Sequence, residues 1–275
     1  MRAVSVGRVT SQTPAPAPAE PASGAPVRAA LHDGPPVAGP GRGAVLVLPG
    51  GGYQMRAADE AGPVAAFLAS SGVRAHWLDY PVAPARYPVA LHEVLIALAD
   101  LRAGRRGGEP VDGPVAVLGF SAGGHLAGTA ATATDAELAD AAALAGLDPA
   151  EVRRPDAAVL CYPVVSFVDH PHLGSRLNLV GSPDDAAARA LSVENRVDAA
   201  TPPTFLWHTA EDPAVGVEHS LTAMRALRRH GVPAELHVFP RGGHGLNLAI
   251  GQTAGEWTFS AVRWLGEQGI GSVVR

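Results

Sequence analysis

The chain has 275 residues, 47% of them hydrophobic and 17% charged, with a formal net charge of −5. That length and balance fit one globular domain with a sizeable core, and the negative charge excludes a general binder of nucleic acid or anionic membrane. A single cysteine, Cys161, excludes an intramolecular disulfide framework, and no apolar run reaches the roughly 18 residues that a membrane-spanning helix needs.

In chain order, the N-terminal stretch MRAVSVGRVTSQTPAPAPAEPASGAPV lacks the apolar core of a secretory signal, so a cytoplasmic protein is expected. Pro, Ala, Gly and Ser dominate Ser11 to Arg42. Residues 1–42 therefore read as an extended arm able to add an edge strand, and residues 43–275 as one packed domain. From there short apolar runs predict strands at Ala44–Leu48, Val73–Leu78, Pro114–Gly119, Ala157–Tyr162, Thr204–His208 and Ala234–Phe239. Runs this short and nearly all apolar suit strands buried on both faces, as in a parallel sheet. Between them, helices are predicted over Asp59–Ser71, Pro88–Arg102, Ser121–Ala131, Val217–His230 and Thr253–Gln268. The second is the clearest, because Leu91, Val94, Leu95, Leu98 and Leu101 recur at three- and four-residue steps and give one apolar face to lay on a sheet. Strand and helix in alternation imply right-handed crossovers, hence an α/β fold with a mostly parallel, doubly wound sheet and helices on both faces. No internal repeat is present.

The stretch LGFSAGGHLAG, Leu118 to Gly128, places Ser121 between glycines two residues away on either side, after one predicted strand and before a predicted helix. A serine in a glycine turn can simply cap a helix. It can also stand on a strained elbow that lifts its hydroxyl to the carboxyl edge of the sheet, where a helix N-terminus favours developing negative charge. A serine hydroxyl is a weak nucleophile, so the second reading demands a histidine to take its proton and a carboxylate to orient that histidine. Asp212 follows the strand TFLWH, and His244 lies in PRGGHG after the strand AELHVF. Both loops open at the edge that ligands use in open α/β sheets. Glu211 is the rival to Asp212, but Asp212 has the shorter side chain. His208 and His237 fall within strands, His230 ends a helix, and the pair His170 and His172 lacks a third ligand at a metal-site spacing, so it reads as loop. PGGGY, Pro49 to Tyr53, follows the strand AVLVL and can expose backbone amides, making Gly51 and Gly52 candidate oxyanion donors together with the N–H of Ala122.

These segments together, PGGGYQMRAADEAGPVAAFL, LDYPVAPARYP, GFSAGGHLAG, CYPVVSF, TPPTFLWHTAEDPAV and ELHVFPRGGHGLNLA, resemble the α/β-hydrolase superfamily over nearly all of Val45 to Leu265. The nearest resemblance is to small serine esterases with an HGGG-like loop, the acetyl esterase and acetylxylan esterase-like group. It implies Ser121 as nucleophile, Asp212 as acid, His244 as base, and Gly51, Gly52 and Ala122 as oxyanion donors, with no metal or organic cofactor. Pro49 stands where many such esterases have the histidine of HGGG, which changes how the loop is held but leaves its glycine amides. No long cap insertion is evident, since only Ser166 to Val197 is available to cover the site. The expectation is a carboxylesterase removing short acyl groups, acetyl first, with carbohydrate esters among its substrates. Tyr53, Phe120 and Trp207 are the bulky candidates to limit its acyl pocket. Amide or peptide cleavage, formamidase chemistry included, uses the same triad and stays open, as does a ligand receptor on a disabled hydrolase fold. The oligomeric state is open too.

Overall fold

The computed structural model describes residues 28–37, 41–106, 108–181 and 185–271, so most of the arm, residues 1–27 and 38–40, lies outside the described residues. Seven strands form one sheet: β1 (Leu31–Asp33), β2 (Ala44–Leu48), β3 (Ala75–Leu78), β4 (Val115–Phe120), β5 (Ala157–Cys161), β6 (Thr204–Thr209) and β7 (Ala234–Phe239). Their order is β1-β3-β2-β4-β5-β6-β7, with β1 antiparallel to β3 and every other pairing parallel. The arm thus contributes an edge strand, Leu31 opposite Leu78 and His32 opposite Trp77.

Among the described residues eight α-helices accompany the strands: α1 (Gly62–Ser70), α2 (Val89–Ala103), α3 (Ser121–Ala131), α4 (Asp135–Ala145), α5 (Leu173–Val180), α6 (Asp185–Leu191), α7 (Glu218–Arg229) and α8 (Trp257–Glu267). Alternate side chains along a strand point to opposite faces, so Ala44, Leu46 and Leu48 join the core under α2, α3, α4 and α7, whereas Val45 and Val47 join the core under α1 and α8. With both faces covered, β2, β4, β5 and β6 are buried at every position, which is why they are apolar throughout rather than alternating. No helix among the described residues is long and apolar enough to cross a membrane.

One sequence expectation needs correction. The helix at Pro88–Arg102 was expected to bury one face, yet α2 is buried almost all round. Its outer side is covered by α4 and by the arm, whose Ala29 N–H donates to Glu93 at 2.8 Å. The segment Ser166 to Val197, expected to be available to cover the site, carries α5 and α6, and His172 caps α5 by accepting the Ser175 N–H.

Candidate functional site

The carboxyl ends of β2, β4, β6 and β7 bring four loops to one edge of the sheet. Ser121 begins α3 directly after β4 with φ at +51°, a left-handed conformation that a side chain adopts only under constraint. Two close approaches enforce the turn. A β-carbon at Gly119 would overlap the carbonyl of Gly123, and one at Gly123 would overlap the carbonyls of Leu48 and Pro49. Glycine at both positions lets strand, helix and loop meet, and the Val164 N–H donates to Ser121 O at 3.0 Å to hold the elbow.

Ser121 Oγ lies 2.8 Å from His244 Nε2, and His244 Nδ1 lies 2.6 Å from Asp212 Oδ2. With Nδ1–H donating to the carboxylate, Nε2 is left as the acceptor of the serine proton. Glu211 points away, its side chain 56% exposed and 4.0 Å from Arg241. Asp212 is buried, which alone would raise its pKa. Hydrogen bonds from His208, His244 and the Val215 N–H outweigh burial and hold the carboxyl well below the usual carboxylate range. The His208 contact is one that strand position alone does not reveal. Its Nε2 bonds Val215 O at 2.8 Å and lies 3.4 Å from Asp212 Oδ2, while Nδ1 bonds Ser220 Oγ.

The loop Pro49–Tyr53 is held at every residue. Tyr80 donates its hydroxyl to Pro49 O at 2.6 Å, the bond that steadies a loop lacking the HGGG histidine. Gly50 N–H donates to Glu60 Oε2 at 2.7 Å, Asn178 of α5 donates to Gly52 O at 2.9 Å, and Tyr53 Oη bonds His125 Nδ1 at 2.8 Å. His125 Nε2–H donates onward to Leu191 O, and burial pushes this imidazole down to about 3, so it stays neutral. Among the described residues no acceptor takes the N–H of Gly51 or Gly52. The N–H of Ala122, in the first turn of α3, has no intrahelical acceptor by geometry. The N–H groups of Gly51, Gly52 and Ala122, the candidate oxyanion donors, are thus left without a protein acceptor among the described residues.

Glu60 is the group that no motif announced. It is 4% exposed, accepts the Gly50 N–H on one oxygen and the Tyr162 hydroxyl on the other at 2.6 Å. Tyr162 Oη in turn accepts the Asn247 N–H at 2.9 Å, and its ring meets the His244 ring edge-on at 5.1 Å. One buried carboxyl therefore ties the glycine loop to the histidine loop. Burial pushes its pKa up against those two hydrogen bonds. Burial, then the charge of Glu60, pushes the Tyr162 phenol well above the usual range, so it remains a donor.

The three residues expected to wall an acyl pocket do not do so. Phe120 and Trp207 occupy strand positions that face α8 and are fully buried, Trp207 stacked on Trp257 at 5.1 Å and Phe120 edge-on to the same indole. Tyr53 is 2% exposed and serves as the anchor to His125. The neighbours of Gly52 are polar, since a β-carbon there would lie 3.9 Å from Ser175 Oγ and 4.0 Å from His172 Cε1, whereas one at Gly51 would meet the Met55 side chain. Burial, then the charge of His244, lowers the His172 pKa.

A parallel sheet with a serine elbow and this loop order has a counterpart among known folds: residues 45–248 match the model of the α/β-hydrolase fold family. The chain belongs to that family. This α/β hydrolase is similar to the acetyl ester-xyloside bifunctional hydrolase of Caldicellulosiruptor lactoaceticus, at 38% identity and a TM-score of 0.79 over 90% of each chain. It is 32% identical over 223 residues to endo-1,4-beta-xylanase B of Butyrivibrio fibrisolvens, covering 79% of this chain and 34% of that protein. It is 27% identical over 212 residues to the acetylxylan esterase of Xylanibacter ruminicola, covering 74% of this chain and 41% of that one. The α/β hydrolase thus spans less than half the length of these two curated relatives.

Proposed function

We propose that the chain is a serine esterase that removes short acyl groups, acetyl above all, from carbohydrate esters. The observation that carries this reading is the hydrogen-bonded line Ser121 Oγ, His244, Asp212 beside amides without acceptors. Ser121 Oγ attacks the ester carbonyl carbon while His244 Nε2 takes its proton, and Asp212 holds the resulting imidazolium in place. The carbonyl oxygen, now negative, rests on the N–H groups of Gly51, Gly52 and Ala122. Collapse of the tetrahedral intermediate breaks the bond to the alcohol oxygen, which leaves with the proton from His244. Water, deprotonated by the same imidazole, then attacks the acetyl-Ser121 ester and releases acetate.

The likeness to an acetyl ester-xyloside hydrolase and an acetylxylan esterase supports acetylated sugars as the alcohol side. A single catalytic domain over residues 43–275 and a cytoplasmic location belong to the same proposal, the second supported by the lone, buried Cys161. The test is turnover of 4-nitrophenyl acetate and acetate release from acetylated xylan by the wild type and by Ser121→Ala. Both activities should be present in the first and fall by about three orders of magnitude or more in the second. Absence of both from the wild type, or faster turnover of the matching anilide than of the ester, would overturn the reading.

A further inference from the structure

The residues that follow the glycine loop, Gln54 to Ala58, form one wall of a groove of about 600 Å³, whose other walls come from the start of α1 and the end of β3. Pro49 also lines this groove, and the next residue, Gly50, is close enough to Ser121 that a β-carbon there would lie 3.1 Å from the serine Cβ. The groove and the candidate site therefore share one loop as their partition.

Four side chains at the groove are locked to one another. Trp77 of β3 is half-buried and stacks on His32 of the arm strand, its partner in register, with ring centroids 4.9 Å apart and planes 9° from parallel. His32 Nε2 bonds Asp79 Oδ2 at 2.9 Å, and Asp79 Oδ1 lies 3.6 Å from Arg56 Nε. Arg56 is itself fixed by donating from Nη1 to Tyr80 O at 2.9 Å, and its Nη2 has no partner among the described residues. Asp79 and Arg56 keep 39% and 34% of their side chains exposed. The enzyme's chemistry uses none of these groups, and the fold does not require an indole, a carboxylate and a guanidinium to converge on open space.

We propose that this groove is a carbohydrate subsite, taking the sugar rings that continue from the acetylated ring held at Ser121. The proposal rests on the carbohydrate-ester reading of the site. A pyranose presents an apolar C–H face and a rim of hydroxyls, which matches an indole flanked by one acceptor and one donor. Asp79 accepts from a hydroxyl and the free Arg56 Nη2 donates to its neighbour, so an adjacent pair of hydroxyls is the natural ligand. The paired charges disfavour both a hydrocarbon chain, which would desolvate them, and an anion, which Asp79 would repel. Because the cluster is already held by its own stack and hydrogen bonds, binding costs little ordering.

The test compares specificity constants for an acetylated xylotetraose and for 4-nitrophenyl acetate in the wild type, Trp77→Ala, Arg56→Ala and Asp79→Ala. The ratio of the first to the second should fall about tenfold in Trp77→Ala, the scale of a single aromatic stacking interaction, through the KM for the oligosaccharide. The Arg56 and Asp79 variants should lower the same ratio severalfold. Unacetylated xylotetraose should also perturb the indole fluorescence of Ser121→Ala protein, and that change should vanish when Trp77→Ala is added. Ratios within twofold of the wild type in all three variants would overturn the proposal while leaving the esterase reading intact. If Trp77→Ala melts early, Arg56→Ala decides, since this side chain is part-exposed and joins no core cluster. A wild type active on neither substrate would instead refute the function on which the proposal rests.

Discussion

At the scale of single residues, the site contains two buried carboxyls with different tasks. Asp212 carries the imidazole: Asp212→Asn should leave the fold intact and lower kcat by roughly three to four orders of magnitude, because the amide can present the wrong hydrogen-bonding group to Nδ1. A fall of less than tenfold would transfer the role to another acid. Glu60 lies outside the Ser121, His244, Asp212 line and is expected to act by position, through Gly50 on one oxygen and, on the other, through Tyr162, whose hydroxyl accepts the Asn247 N–H. Glu60→Gln can keep only one of those two acceptors. It should lower kcat about 10- to 100-fold with KM within roughly twofold, as expected when donors that meet the transition state lose their aim. An unchanged kcat with a lowered melting temperature would make Glu60 merely structural, and restored turnover in Glu60→Asp would support the positioning role. The contrast also shows which residues the sequence can reveal. Ser121, Asp212 and His244 stand directly after apolar strands, where their place in the strand order marks them as candidates. Glu60 looks like a solvated acid at a helix start, Tyr162 like the end of a core strand, and His208 like strand filling. Their partners lie 102, 85 and 4 residues away, and no local pattern encodes two of those three.

At the scale of elements, the six apolar runs are strands β2 to β7, with ends shifted by a residue or two, because burial on both sheet faces writes itself as an unbroken apolar segment. The helices that lie directly on the sheet were legible for the same reason. Those of the outer layer were not: α4 is alanine-rich and has no apolar stripe, although its signals were present in the Thr134 to Glu137 capping box and in Gly146 after its end. That box does more than cap. Glu137 also accepts from Tyr87 and pairs at 2.7 Å with Arg196, whose side chain is 9% exposed, fastening α4 to the segments before α2 and after α6. Burial alone would raise its pKa, and hydrogen bonds from Tyr87, the Thr134 N–H and Arg196 bring it below the usual value. A depressed carboxyl contributes stability above its unfolded pKa and loses it as pH falls through the folded one. Glu137→Gln, which strands the Arg196 charge, should therefore cost about 3 kcal/mol at pH 7. The melting temperature would drop by roughly 6–10 °C at that pH. The difference should shrink as pH falls below about 4.3. Melts that differ equally at pH 7 and pH 3 would contradict the ion-pair account.

At the scale of the whole molecule, one mostly parallel sheet delivers Ser121, Asp212, His244 and the glycine loop to a single edge, and the short helix α5 reaches that loop through Asn178. The short cover was legible as a missing insertion. The pocket was not, because pocket walls come from distant loops and the large aromatic residues of the strands turned inward to the α8 core. The side chains nearest Gly52, Ser175 and His172, are polar and do not reward a long chain. An apolar wall would contribute roughly 0.8 kcal/mol for each methylene buried, so a chain-length series reads directly how far such a wall extends. Acetyl and propionyl aryl esters should exceed octanoyl in kcat/KM, and efficiency rising steadily from two to eight carbons would refute the short-acyl reading. All of this depends on Ser121 being the nucleophile. The most direct measurement is the site of covalent capture by a fluorophosphonate, read by intact mass and peptide mapping on the wild type, Ser121→Ala and His244→Ala proteins. One adduct per chain is expected on Ser121 in the wild type, none in Ser121→Ala, and labelling slowed by more than about a hundredfold in His244→Ala, where the base is removed. An adduct on another residue, or labelling that persists unchanged in Ser121→Ala, would contradict the account.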